Sequence, residues 1–266
     1  MSETVALCWA HPGDVSGRFM DSVLRIFQES GRAAQAGETD TPAIMGYHFV
    51  EGGPRIAHAR NELVRTFLAS ERYANTEWLL MLDADMTFDG SLLKTLFHDV
   101  RSAQGKVQRP IVGGLYFGGG HGAIFPLTFQ LVDPETNDNN PISIITDWTP
   151  GEMLEVDATG TGCLLIHRGV LEHFSKVYEE PTPWFAESVH NGFDFGEDWT
   201  FCMRARMQGL PIYVNTAVQL GHMKAVCLTE QTWRTGQTGL TTTSAPPPKI
   251  QLSRQQRRRE ARGKAA

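Results

Sequence analysis

Six side chains have types and spacing that could do chemistry: Arg60, Asp83, Asp85, Glu197, Asp198 and His222. Asp83 and Asp85 close the apolar run Trp78-Leu79-Leu80-Met81-Leu82 and form the one D-x-D in the chain. A buried carboxylate is costly unless it is paired, hydrogen-bonded or bound to metal. In extended chain, positions i and i+2 point to the same side, so both acids are expected to converge where the strand emerges. Carboxylates so placed suit a hard cation, Mg²⁺ or Mn²⁺, that neutralises the charge on a departing diphosphate. The plainer alternative is a strand-end turn in which one of the acids caps the next helix.

Arg60 lies at the centre of the apolar stripe of its helix, between Ile56 and Val64 and alongside Ala59, Leu63, Phe67 and Leu68. Such an arginine either snorkels to water or turns its guanidinium to a phosphate or carboxylate. Glu197 and Asp198 open a helix after a long loop. First-turn acids complement the helix dipole; beside a metal–diphosphate site they also suit a general base. His222, in "LGHMK", follows a strand pattern, where it is either structural or a metal ligand joining the two aspartates.

The elements that must position these residues follow from periodicity. Strands are expected at "VALCWA" (5–10), "IMGYHFV" (44–50), 77–83, "PIVGGLYF" (110–117), "GCLLIH" and "PIYVNTAV". Helices are expected from Ser16, a plausible N-cap, to Gly31, over 55–70, from about Ser91 to Ala103, over "RGVLEHF", and over "EDWTFCMRARMQG" closed by Gly209. Residues 35–42 read as a linker, "EGGP" as a turn, and "LTFQLV" with "PISIIT" as a hairpin. "PTPWFAESVHNGFDFG" reads as a long loop, functional or mobile. The alternation implies an α/β fold with a mixed, mostly parallel sheet and helices on both faces. In such sheets ligands bind at the carboxyl ends of the strands.

"GGGHGA" (118–123) matches a relaxed dinucleotide pattern, but strand-like "IFPLTFQL" follows where a phosphate-binding helix would be needed. No G-K-[ST] accompanies the glycines, so a P-loop is excluded. The stretch reads instead as close backbone approach beside the site.

Composition sets outer bounds. The chain has 266 residues, 41% hydrophobic and 20% charged, ordinary for a globular protein with one large domain. Cys8, Cys163, Cys202 and Cys227 are widely spaced and read as free thiols of a reducing compartment. With no signal peptide and no run long enough to span a bilayer, a cytoplasmic location is expected. The net charge of −6 hides an acidic body and a basic end: residues 249–266 carry seven Lys/Arg and one acid, leaving 17 basic and 29 acidic residues before them. An acidic body argues against broad nucleic-acid binding by the folded domain. From about Thr235 the composition turns to Thr, Ser, Pro and Arg, so disorder is expected.

"IAHARNELVR", "LLMLDADM", "VDATGTGCLLIHRGVLE", "FGEDWTFCMRARMQGLPIYV" and "QLGHMK", in this order and spacing, resemble family-2-like glycosyltransferases of the GT-A fold, in the compact form found in bacteria and their phages. The resemblance spans most of the first 224 residues. It implies a GT-A domain over 1–234, with a nucleotide-sugar and metal half over about 1–117, an acceptor half over 118–234, and a disordered basic tail over 235–266. Asp85 would bind Mn²⁺ or Mg²⁺, Asp83 would contact ribose or metal, and His222 would complete the metal site. Arg60 would steady the nucleotide or the first aspartate. His11, Pro12 and Glu51 would sit near base and ribose. Asp198 would be the catalytic base and Glu197 its neighbour.

The implied reaction moves a single sugar from a nucleotide-diphosphate sugar, UDP-linked by expectation, to an acceptor hydroxyl; inversion is expected, and retention stays open. The Q-x-x-R-W signature of processive synthases is absent, and "VEGGPR" replaces the acid-rich second-strand turn of many members, which leaves the donor base open. The acceptor stays open among a protein, a glycan, a lipid-linked carrier and a modified DNA base, and the basic tail would meet an acidic partner. Two other readings remain: a nucleotidyltransferase that makes the sugar nucleotide, and a non-catalytic module tethered by the tail.

Overall fold

The computed structural model describes residues 3–52, 55–120, 123–133, 135, 137, 141–190 and 193–224. The basic tail, Cys227 and the centre of the "EGGP" turn lie outside the described residues.

The chain begins with β1 (Thr4–His11), α1 (Gly17–Ala36), β2 (Ala43–Glu51), α2 (Ile56–Ala69) and β3 (Trp78–Asp83). A short β4 (Met86–Thr87) and α3 (Leu92–Leu96) lead to β5 (Ile111–Leu115) and to the hairpin of β6 (Phe117–Gly120) and β7 (Ala123–Pro126). Then come β8 (Thr128–Leu131), β9 (Ile142–Ile144), β10 (Met153–Val156), β11 (Ala158–Thr159), β12 (Cys163–His167) and α4 (Arg168–Val177). The described chain closes with β13 (Ser188–His190), β14 (Phe193–Phe195), α5 (Glu197–Met207), β15 (Ile212–Gln219) and β16 (Gly221–His222).

Seven strands form the central sheet in the order β10-β15-β5-β12-β3-β1-β2. β1, β2, β3, β5 and β15 run one way; β12 and β10 run against them. The sheet is therefore mixed and mostly parallel. Its central strands β1, β3, β5 and β12 are buried on both faces because both faces are covered. Val5, Leu7, Trp78, Leu80 and Leu82 pack with Phe19, Val23 and Ile26 of α1 and Leu92, Leu93 and Leu96 of α3. Ala6, Cys8, Leu79 and Met81 face the other way, onto α2, α4 and α5 through Leu63, Phe67, Leu171, Phe174 and Phe201. Cys8, Cys163 and Cys202 are buried free thiols in these layers.

The structure differs from the sequence expectations in four places. α1 runs through Gly31 to Ala36, and Gly37 closes it at φ 70°, its N–H reaching the carbonyls of Ala33 and Ala34. Its buried stripe continues through Ser30 and Ala33, so Gln35 and Ala36 are helix rather than linker, and Leu24 lies outside the stripe at 55% exposure. α3 ends at Leu96 instead of Ala103. There Asp99 takes a left-handed φ of 60°, and the Val100 carbonyl accepts from Gln108 and Arg109 instead of continuing a helix. The expected loop over 181–196 contains a hairpin, β13 with β14. The Asn-Gly between those strands was the available signal for it.

The fourth difference concerns Asp85. The chain leaves extended geometry after Asp83, turning at Ala84 and Asp85. The i, i+2 rule therefore does not apply, and the two aspartates engage different partners. Elsewhere the glycine stretch continues into strand with no helix, Ser16 caps α1 by accepting from Arg18 and Phe19, and β8 and β9 pair as a hairpin.

Candidate active site

Parallel register brings three strand ends to one edge: Ala10 of β1 lies opposite Asp83, and His11 opposite Glu51. β12 enters the sheet at this same edge, and the Gly162 carbonyl accepts from the Asp83 N–H at 3.0 Å. Tyr116 follows β5 here, and β15 leads through Leu220 to His222.

Arg60 does not escape to water. It is 6% exposed, and its Nη2 donates to Asp83 at 2.9 and 3.2 Å while its Nη1 donates to Glu197. Sequence positions 60, 83 and 197 meet because α2 and α5 cover the same face of the sheet. Burial works against the Arg60 charge, but Asp83, Glu197 and Asp198 outweigh it and hold the guanidinium protonated above its ordinary value. Next to Arg60 in sequence, the buried Asn61 donates to the carbonyls of Ala57 and Phe185, both at 2.6 Å, and its Oδ1 accepts from Trp184 and Phe185. It thereby ties the segment before β13 to α2.

Asp198 opens α5 and bonds its own neighbour, the Trp199 N–H, at 2.7 Å. Burial pushes its carboxyl up; Arg60 pulls it back, and Glu197 adds to the rise. A carboxylate whose pKa is raised toward working pH is better matched to accept a proton in a reaction.

The second cluster lies across β4 and β16, which pair His222 with Met86. The Met223 N–H donates to the Asp85 carbonyl at 2.8 Å. The His222 Nε2 then lies 3.1 Å from Asp85 Oδ2, and Lys224 Nζ lies 3.2 Å from the same oxygen. Burial alone would raise the Asp85 carboxyl, but the hydrogen bond from His222 and the nearby cations bring it below the ordinary range. The bond to Asp85 raises His222.

Sequence reasoning missed Tyr116. Its ring is buried and edge-on to His222, with centroids 5.6 Å apart, and its phenol oxygen accepts from the Gly162 N–H at 2.9 Å. Burial and the charges of Asp83 and Asp198 push the phenol well above its ordinary value. Tyr116 thus stands between the two clusters. It also explains the small residues of "TGTG": a Cβ on Gly160 would come within 2.1 Å of the phenol oxygen, and one on Gly162 within 2.8 Å of the ring. An aromatic near the end of an expected strand and a Gly-x-Gly elsewhere in the chain were its only sequence trace.

His11 lies farther along the edge, its Nδ1 accepting from the Gly13 N–H at 3.2 Å and its ring 5.2 Å from Phe49. Pro12 and Glu51 are exposed beside it. The structure therefore joins Arg60, Asp83, Glu197 and Asp198 in one group and Asp85 with His222 in another. Among the described residues no set of three metal-ligating side chains converges.

No protein-family model matches the chain, and no curated protein does. Solved structures do. The chain is similar to a protein from STIV (16% identity, TM-score 0.47, covering 84% of this chain and 86% of that one). It is similar to GalNAc-T7 with UDP, GalNAc and Mn²⁺ (11% identity, TM-score 0.48), where it covers 84% of this chain and 44% of that one. It is also similar to a glycosyltransferase involved in glycosylating the major capsid of PBCV-1 (13% identity, TM-score 0.40, 88% and 99% covered). Glycosyltransferases recur among these neighbours.

Of the chain's helices, none among the described residues is long and apolar enough to cross a membrane.

Proposed function

We propose that the protein is a metal-dependent glycosyltransferase that moves one sugar from a nucleotide-diphosphate donor, UDP-linked, to an acceptor hydroxyl with inversion. The observation that carries this reading is the apposition of Asp85 and His222. His222 Nδ1 lies 2.8 Å from the Phe117 carbonyl, which only accepts, so Nδ1 carries the proton. With the imidazole protonated, Nε2 donates to Asp85 Oδ2, the bond that raises His222 and lowers Asp85. Loss of that proton leaves an imidazole lone pair beside a carboxylate oxygen, a pair that a divalent cation would bind in the proton's place. A backbone carbonyl orienting the far ring nitrogen is the usual support of a metal-binding histidine.

One carboxylate and one imidazole, with phosphate oxygens filling the other positions, fit Mn²⁺ or Mg²⁺. Asp85 and His222 would hold the ion, which when bound neutralises charge on the leaving diphosphate. Asp83, oriented by Arg60, would accept from the ribose. His11, Pro12 and Glu51, at the ends of β1 and β2, would flank ribose and base. Glu197 keeps Arg60 in place, and Asp198 takes the acceptor proton. As that O–H bond breaks, the acceptor oxygen bonds to the anomeric carbon. The bond from that carbon to the diphosphate oxygen breaks, and its electron pair leaves with the nucleoside diphosphate. A single displacement of this kind inverts the anomeric centre, by the same logic as in inverting glycoside hydrolysis.

The test is a thermal-shift series with UDP, with and without Mn²⁺. A ligand at a hundred times its Kd stabilises by about 2.7 kcal/mol. That corresponds to a rise of roughly 5–10 °C for a domain of this size. The rise is expected only with both UDP and Mn²⁺ present, and it should vanish in Asp85→Asn while ligand-free melting stays put. A panel of nucleoside diphosphates that gives no metal-dependent shift refutes the proposal.

A further inference from the structure

Lys224, which closes "LGHMK", sets its Nζ 3.2 Å from Asp85 Oδ2, the same oxygen that meets His222. We infer that Lys224 is a donor-binding residue that waits on the metal carboxylate: with a divalent cation on Asp85 its ammonium moves to the diphosphate, so that cation and nucleotide bind as a coupled pair. The inference rests on the transferase reading above and adds how the donor is taken up.

The root of the side chain is fixed. β16 pairs with β4 through Gly221 and His222. The Met223 N–H donates to the Asp85 carbonyl at 2.8 Å, and Met223 Sδ accepts from Oγ of Ser16, the N-cap of α1, at 3.5 Å. The backbone leading into Lys224 is thus fastened to the turn that carries Asp85 and to the start of α1. A lysine rooted there keeps its head near the site, on a flexible four-carbon stem with three donors.

The head itself is loosely held. Both side chains of the Lys224–Asp85 pair are 43% exposed. An exposed pair of this kind shifts an equilibrium by no more than about fivefold. Arg60 is the contrast. Its side chain is 7% exposed and bonded to two carboxylates, and its departure would strand them without their cation. Of these two cations beside the aspartates, Lys224 is the one free to move.

The two ligands act on that head in opposite ways. Like charges on one carboxylate oxygen repel, and more strongly where one is divalent. An ion taken up by Asp85 and His222 therefore displaces the ammonium. Without nucleotide, the ammonium gains only water in exchange. A nucleoside diphosphate brings phosphate oxygens to the same ion, and an ammonium beside Asp85 is a point-charge ligand for them. Each ligand removes a cost of the other's binding, and such coupling is reciprocal. A lysine that only braced Asp85 would have the opposite effect on the metal: its removal would loosen the carboxylate and weaken the ion.

The experiment compares wild type, Lys224→Met and Lys224→Arg, each as the full chain, in two titrations. Mn²⁺ alone is followed by loss of the free-ion EPR signal, with Asp85→Asn giving the background from other sites. UDP is followed by calorimetry at saturating Mn²⁺. Lys224→Met should bind Mn²⁺ alone more tightly than wild type, by about two- to fivefold. It should bind UDP in the presence of Mn²⁺ more weakly, by about tenfold or more. Lys224→Arg keeps the charge and should stay within about threefold of wild type in both titrations. An unchanged melting temperature confirms that Lys224→Met is folded; if it is not, Lys224→Gln takes its place. The inference is overturned if removing the charge weakens Mn²⁺ alone or leaves it unchanged, or if UDP binding stays as in wild type. Either result, with UDP–Mn²⁺ binding intact in wild type, sinks this inference and leaves the transferase reading standing. A wild type that binds no UDP with Mn²⁺ sinks both.

Discussion

Replacing Arg60 by methionine tests the centre of the site. Methionine keeps most of the stem's packing and removes the charge. Arg60 is 7% exposed at its side chain, Glu197 15% and Asp83 34%. Removing one partner from a buried ion pair costs about 3–5 kcal/mol, because the other charge is left uncompensated. One of the two carboxylates here still sees water, so the lower end applies. A loss of about 3 kcal/mol, at 2–4 °C per kcal/mol for a domain of this size, is a fall of about 6–12 °C in melting temperature. The companion is the triple variant Arg60→Met/Asp83→Asn/Glu197→Gln, in which both carboxylates bonded to Arg60 are neutral too and only Asp198, already pushed up by burial, loses the cation that favours its ionised form. It should recover to within about 1–2 kcal/mol of wild type, since a buried ion cluster is worth little against neutral groups of the same volume. Melting of both proteins at neutral pH reads the comparison. Arg60→Met melting within a degree of wild type would show that Arg60 finds water after all. A triple variant as unstable as the single would show that packing, not charge, is what Arg60 supplies.

Gly160→Ala should cost about 1–3 kcal/mol, as insertions into packed sites do, because its Cβ meets the Tyr116 phenol oxygen. In a Tyr116→Phe background the loss should shrink, and equal losses in both backgrounds would separate Gly160 from Tyr116. Asp198→Asn should abolish transfer while keeping UDP–Mn²⁺ stabilisation; joint loss of both would move Asp198 into the donor site. Asp198 must be ionised to act, and burial raises its pKa, so transfer should fail on acidification at a pH above the ordinary aspartate value of about 3.9. Glu197→Gln removes a like charge and leaves Arg60 freer to favour ionised Asp198. The acid limb of the rate profile should therefore move to lower pH, and an upward move would contradict the assignment of causes.

Much of the frame is local information, and the sequence carried it. Apolar runs of strand length alternating with amphipathic stretches predicted β1, β2, β3, β5, β12 and β15 and the helices between them. Ser16 as a cap, Gly209 as a stop and the absence of a helix after the glycine stretch were legible because capping and turn chemistry act over a few residues. Arg60 was legible as an anomaly, since a charge within an apolar stripe is a violation visible in one dimension. Tertiary structure alone decided what answered it. Asp83 and Glu197 reach Arg60 from positions 23 and 137 residues away because α2 and α5 share a face of the sheet. The direction of β12, Tyr116 seated over Gly160 and Gly162, and Asp85 turned toward His222 instead of alongside Asp83 were likewise invisible in the sequence. Each depends on how strands are ordered across the sheet or on a turn that ends extended geometry, and periodicity along the chain encodes neither.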